Sequence, residues 1–202
     1  MVRSAVRFSE LLPLLLPPLF LVIALFIASL VGRRRQTRVV RIGESLGIAE
    51  LSSSSWFGFV TGSWRGYKVR LRHGGGGKAP DRWTVEIMAT APGVVTVRRK
   101  GFFDIDLFSG PRATVNNPAA EGFRISGDEQ LAAQLFDKGT IVAELENSLR
   151  SGRGKLDLNG ERVRVARVFH GSRNAERIGT EAWRLATAVV EGLGLPPSRA
   201  AS

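Results

Sequence analysis

The chain has 202 residues, with 29 Lys and Arg against 18 Asp and Glu and no cysteine. The length allows about one domain of roughly 150 residues plus an appendage, and the missing cysteine excludes disulfides, thiolate metal sites and thiol nucleophiles. Of the net charge of +11, six units fall in residues 1–41 beside an apolar run, whereas a nucleic-acid protein should carry its basic face on the folded domain.

Residues 1–10 form a short N-terminal tail. From Leu11 to Gly32 there is no charged residue, and as a helix this stretch would be about 33 Å long, close to the roughly 30 Å of bilayer hydrocarbon. A secretory signal should be shorter and end in paired small residues, but Ile27 and Leu30 occupy the places where those belong. A soluble core helix should have one apolar stripe, and here apolar residues surround the whole circumference. The segment is therefore expected to be an uncleaved transmembrane anchor over residues 11–32. Pro13, Pro17 and Pro18 leave two readings open: a kinked span, or a regular helix that begins at Pro18 after an irregular interfacial stretch.

Arg33, Arg34, Arg35, Arg38 and Arg41 follow the run directly, against Arg3, Arg7 and Glu10 before it. Basic residues at span ends stay on the cytoplasmic side. A single pass through the inner (cytoplasmic) membrane is thus expected, with the N-terminus outside and the C-terminal domain in the cytoplasm. The same five arginines are candidate contacts for anionic lipid headgroups.

Residues 33–57 are read as a basic juxtamembrane and Ser-rich linker, ending in "LSSSSWF". The folded domain is expected over 58–195. In "GYKVRLRH", Tyr67, Val69 and Leu71 alternate with Lys68, Arg70 and Arg72, the signature of a half-buried strand. "HGGGGKAPD" is a glycine-rich hairpin connection, and "RWTVEIM" resumes the alternation with Trp83, Val85 and Ile87. "GVVTVRRK" and "FFDIDLF" add strands, the latter with Phe103, Ile105 and Leu107 on one side and Asp104 and Asp106 on the other.

A helix is expected after Ser126, with Glu129 as its capping-box partner and Leu131 and Leu135 on one side. A second starts near Thr140, with Ile141, Leu145 and Leu149 spaced by four. Leu156 and Leu158, a type I′ turn at Asn159 and Gly160, then Val163 and Val165 form a hairpin. Residues 174–192 close the domain as a helix carrying Ile178, Ala182, Leu185, Ala186 and Val189. Residues 196–202 are expected to be a disordered tail. The order predicts an α+β fold: an N-terminal transmembrane helix, then an antiparallel sheet with helices packed on one face.

The segments "GSWRGYKVRLRH", "RWTVEIM", "GFRISGDEQLAAQLF" and "KLDLNGERVRVARV" with its closing helix together resemble uncharacterised single-span bacterial membrane proteins that carry a C-terminal α+β domain. The resemblance covers about 130 residues, judged as one compact domain. It implies architecture and anchoring, and assigns no residue a role.

The chemistry is sparse. His73 and His170 are the two histidines and have no metal-ligand spacing. "GGGGKA" lacks the Lys-Ser/Thr ending and the following helix of a phosphate loop, and Ser63 and Ser172 lie outside any nucleophile elbow. Asp104 and Asp106, two apart on a strand, are the best acidic pair. The basic rows Lys68, Arg70, Arg72 and Arg98, Arg99, Lys100 are candidates for anion binding, with Glu86 and the aspartates as candidates to neutralise them. No cofactor or metal is implied. The expectation is a membrane-anchored, non-catalytic binding or scaffold domain for a protein partner or a second copy of the chain. The alternatives are an enzyme using Asp104 and Asp106 with His73 or His170, and recognition of anionic lipid by the arginine cluster.

Overall fold

The computed structural model describes residues 20–23, 26, 30, 33–34, 36–54, 59–76, 79–100, 111–150, 153–169 and 174–198. Of these, 20–23, 26, 30 and 33–34 are helical and lead to a helix over 36–45, α1. Among the described residues no helix is long and apolar enough to cross a membrane; most of residues 11–32 lies outside them.

Strands β1 (Ala49–Ser54), β2 (Phe59–Trp64), β3 (Tyr67–Gly76), β4 (Ala79–Ile87), β5 (Val94–Arg99) and β6 (Phe123–Gly127) precede α2 (Glu129–Phe136) and α3 (Gly139–Leu149). Strands β7 (Gly154–Asn159) and β8 (Arg162–Phe169) and helix α4 (Ala175–Gly192) complete the order. The strands form one eight-stranded sheet in the order β1-β2-β3-β4-β8-β7-β5-β6, antiparallel at every pairing. The expected α+β class, with an antiparallel sheet and helices on one face, is what the structure shows.

Alternation decides which face is which. Val69, Leu71, Trp83, Val85, Ile87, Val163, Val165, Leu156, Leu158, Val95 and Val97 are all buried, and the register places them on one side of the sheet. On that side α4 packs on β4 and β8, α3 on α4 and β7, and α2 on β5 and β6. Ile178, Ala182, Leu185, Ala186 and Val189 of α4 are buried at helical spacing, as the amphipathic pattern requires. Ile141, Leu145 and Leu149 do the same in α3.

The expected linker at 33–57 contains ordered secondary structure. Val39 and Ile42 of α1 are buried in the core. Gly47, at φ +73°, ends the helix, with the Ile48 N–H donating to the Gly43 carbonyl, a left-handed glycine stop. The chain then doubles back, so that a Cβ on Gly43 would lie 3.0 Å from the Leu51 side chain and 3.5 Å from that of Leu71. The serines of "LSSS" form part of β1, an edge strand with a register irregularity between Ala49 and Ser52 and Glu50 at φ +53°. Irregular, polar edge strands resist pairing with other chains.

The structure corrects other local expectations. Helix α2 is capped by Asp128, whose side chain accepts from the Leu131 N–H, rather than by Ser126, which belongs to β6. Glu129 accepts from the Thr114 N–H instead of closing a capping box. In the β7–β8 hairpin the loop residues are Gly160 and Glu161, between the paired Asn159 and Arg162. Only Gly160 has positive φ, the pattern of a II′ rather than a I′ turn. The glycine-rich stretch continues the β3–β4 ladder through Gly74↔Arg82 and Gly76↔Ala79. Residues 196–198 of the expected tail are held: the Thr90 N–H donates to the Pro196 carbonyl and the Ser198 N–H to that of Met88, while 199–202 lie outside the described residues. The strand expected at Phe103, Ile105 and Leu107 lies outside the described residues.

Gly127 shows how tightly β6 meets β5. Its φ is +108°, and a Cβ there would sit 2.0 Å from the Val94 carbonyl oxygen. Gly127→Ala is expected to destabilise the domain by about 2 to 4 kcal/mol from backbone strain and overlap together. A thermal melt followed by circular dichroism reads this directly, and an unchanged midpoint would show that the strand end relaxes.

Candidate functional site

The face of the sheet opposite the helices carries the charge. Register brings Arg70 of β3, Glu86 of β4, Arg164 of β8 and Asp157 of β7 into one cross-strand row. The neighbouring row holds Arg72, Thr84, Ala166, Lys155, Arg98 and Arg124. Lys68, Arg70 and Arg72 of β3 and Arg98 of β5, expected separately from the sequence, thus belong to one basic surface, whereas Arg99 pairs with Phe123 on the helical face and Lys100 follows the end of β5.

Its carboxylates are already engaged. Glu86 lies 3.6 Å from Arg70 and Arg162 and 3.5 Å from Arg164. It is only 7% exposed, shielded by three guanidinium groups that it cannot neutralise alone. Asp157 is 2.8 Å from the Lys155 ammonium and accepts from the Thr96 hydroxyl at 2.8 Å. Phe59, also on this face, has the Arg70 guanidinium 4.8 Å from its ring centroid, a cation–π contact.

Next to these pairs is a shallow groove of about 520 Å³, lined by Arg82, Arg98, Arg153, Lys155, Asp157 and Arg164 over a floor that includes Ala166 and Val168. Five cations therefore surround one carboxylate, which is bound to Lys155. Neither Arg82 nor Arg153, both exposed, contacts a carboxylate among the described residues. The sequence signal for this groove was incomplete: Arg82, Arg153 and Arg164 join it only because β8 and β7 lie between β4 and β5.

On the helical face, Arg167 of β8 is an exception to the apolar pattern. Its side chain is 6% exposed and 3.3 Å from Glu181 of α4, and it donates to the Ser148 hydroxyl of α3 at 3.1 Å. Burial pushes its guanidinium below the ordinary value, opposed by the Glu181 carboxylate. Gly154 lies opposite Arg167, and a Cβ there would come within 2.9 Å of the Arg167 Cδ. This pair has the features of a structural clamp between sheet and helices.

Of the arginines singled out at 33–41, Arg33, Arg34 and Arg41 are exposed and Arg38 is half-buried on the helical segment; Arg35 lies outside the described residues. Arg38 and Arg41 flank the buried Val39 and Ile42, so they belong to a docked helix. His73 is buried with its ring stacked 5.1 Å from Trp83 and 5.9 Å from Phe169, and 3.9 Å from Asp81. His170, Asp104 and Asp106 lie outside the described residues. Among the described residues no group of three His, Asp or Glu could hold a metal ion.

No family model and no curated protein matches the chain. Among solved structures it is similar to the crystal structure of the mycobacterial trehalose monomycolate transport factor A, TtfA. The TM-score is 0.50 at 15% identity, over 82% of this chain and 96% of that one. At that identity the likeness is one of fold.

Proposed function

We propose that the chain is a membrane-anchored, non-catalytic binding domain, associated with transport across or within the cell envelope, whose sheet domain faces the cytoplasm. The observation that carries the reading is the helical segment ahead of α1. Phe20, Leu21, Val22, Ile23, Phe26 and Leu30 are between 44% and 68% exposed, a clustering of large apolar side chains that water does not support and a bilayer does. The transport element comes from TtfA, a transport factor with the same fold. The arginines at 33–41 supply the orientation, and the inner membrane, single-pass topology and protein partner belong to the same reading.

The full chain is expected to stay with the membrane through washes in high salt and alkaline carbonate, and a variant lacking residues 11–32 to move to the supernatant. A reporter active only in the cytoplasm, fused after Ser202, should be active. Extraction of the full chain by carbonate would overturn the anchor, and an inactive reporter would overturn the orientation.

A further inference from the structure

We propose that the basic groove on the helix-free sheet face is a docking surface for anionic phospholipid headgroups, which seats the domain against the membrane that anchors it. This rests on the anchored reading above and adds a second, electrostatic contact to it. Because Gly47 reverses the chain and Leu51 returns alongside Gly43, α1 runs back over β1. The helix therefore enters the domain from the end of the sheet where β1 finishes at Ser54. Register carries that end across the sheet: β2 begins there at Phe59, β4 at Ala79 and β7 at Gly154, while β8 finishes there at Phe169.

The groove lies at this same end. Gly154 and Lys155 open β7, Arg82 is near the start of β4, and Arg98 pairs with Lys155. Arg82, Arg98, Arg153 and Lys155 are thus concentrated on the anchor side, with Asp157 tied to Lys155 at 2.8 Å, while Arg164, 3.5 Å from Glu86, lies toward the opposite end of β8. Arg82 and Arg153 have no carboxylate partner among the described residues, and the anionic inner leaflet on the anchor side is a surface that would balance them. The small and apolar floor at Ala166 and Val168 lets a phosphate approach the guanidinium groups closely. A single-stranded nucleic acid would want aromatic platforms between the cations. Phe59, an aromatic ring on this face, is covered by the Arg70 guanidinium.

The absence of cysteine makes the test direct. Full-length Ala166→Cys, labelled with a fluorophore, is reconstituted in nanodiscs of phosphatidylcholine alone or mixed with phosphatidylglycerol, each carrying a headgroup-linked nitroxide quencher. Glu161→Cys, in the turn at the far end of the sheet, is the control. Quenching at position 166 should rise with phosphatidylglycerol and fall back in high salt, while position 161 stays unquenched. Arg82→Glu, Arg153→Glu and Lys155→Glu together should abolish the rise, and the corresponding glutamine variants should reproduce the loss with an unchanged melting curve. Equal quenching with and without phosphatidylglycerol, or a rise that survives the triple variants, would overturn the proposal. So would an RNA oligonucleotide that binds the groove in discs to which phosphatidylglycerol makes no difference. A chain that leaves the discs altogether defeats the anchored reading and this proposal with it; a chain that stays but ignores phosphatidylglycerol defeats this proposal alone.

Discussion

Trp83→Ala is expected to lower the unfolding free energy by about 3 to 5 kcal/mol, the range for removing a fully buried aromatic side chain from a packed core. Set against a total of roughly 5 to 15 kcal/mol for a domain, that leaves the variant marginal. The indole is fully buried in β4 and lies between two partners. His73 stacks on it at 5.1 Å with an interplanar angle of 10°, and α4 approaches it at Gly179, where a Cβ would be 3.1 Å from the indole. Truncation removes the surface on which α4 rests and opens a cavity that a strand and a helix can close only by moving together. The indole N–H has no hydrogen-bond partner among the described residues, so Trp83→Phe gives up little polar energy and should lose about 1 to 2 kcal/mol. Urea denaturation of the three proteins checks the order. A phenylalanine variant as unstable as the alanine variant would show that the nitrogen matters more than the packing.

The second large effect is expected at the Arg167 clamp, and it is asymmetric. Glu181→Ala should destabilise by about 2 to 4 kcal/mol, because it leaves a buried guanidinium with only the Ser148 hydroxyl; the loss is smaller than the usual cost of breaking a buried pair because Glu181 retains contact with water. Arg167→Met should be nearly neutral, since an apolar side chain of similar reach removes the desolvation penalty along with the attraction. The double variant should then be more stable than Glu181→Ala alone. Measured as a double-mutant cycle in urea, the result turns on that last comparison. A double variant no better than Glu181→Ala would show that the carboxylate supports α4 through Arg177, 3.7 Å away on the same helix, rather than through Arg167.

Strong periodicity made the centre of the sheet legible. Val69 and Leu71, then Trp83, Val85 and Ile87, alternate because their strands are buried on one face only, and that asymmetry appears in sequence as period two. Strand β1 was missed because an edge strand buries little, and β2, although paired on both sides, because Val60 is its one buried residue. Ser52 and Ser53 are exposed, and β1 is irregular near Glu50, so neither burial nor regular alternation was available as a signal. The stretch after Ser126 shows a different limit: capping chemistry is satisfied by several neighbouring polar residues, and packing of Leu131 and Leu135 selects Asp128. The basic rows were visible one strand at a time. Their union was not, because the β7–β8 hairpin inserts between β4 and β5, and no local pattern encodes which strands become neighbours across the sheet.

The direct passage from α1 into β1 also sets how far the domain can travel. A flexible stretch spanning residues 33–57 would have an end-to-end reach of about 25–30 Å, enough for a tethered module to search a patch of membrane and to present any of its surfaces to a partner. With Val39 and Ile42 buried in the core and Gly47 turning straight into the sheet, that slack is absent from α1 onward. On the proposed anchored reading, a partner must approach in the orientation the anchor imposes, which raises its effective concentration for one surface and lowers it for the others. By the same connection, a pull on the N-terminal end of α1 is borne by the packing of α1 against β1 and β3, and reaches the sheet without an extensible tether to absorb it.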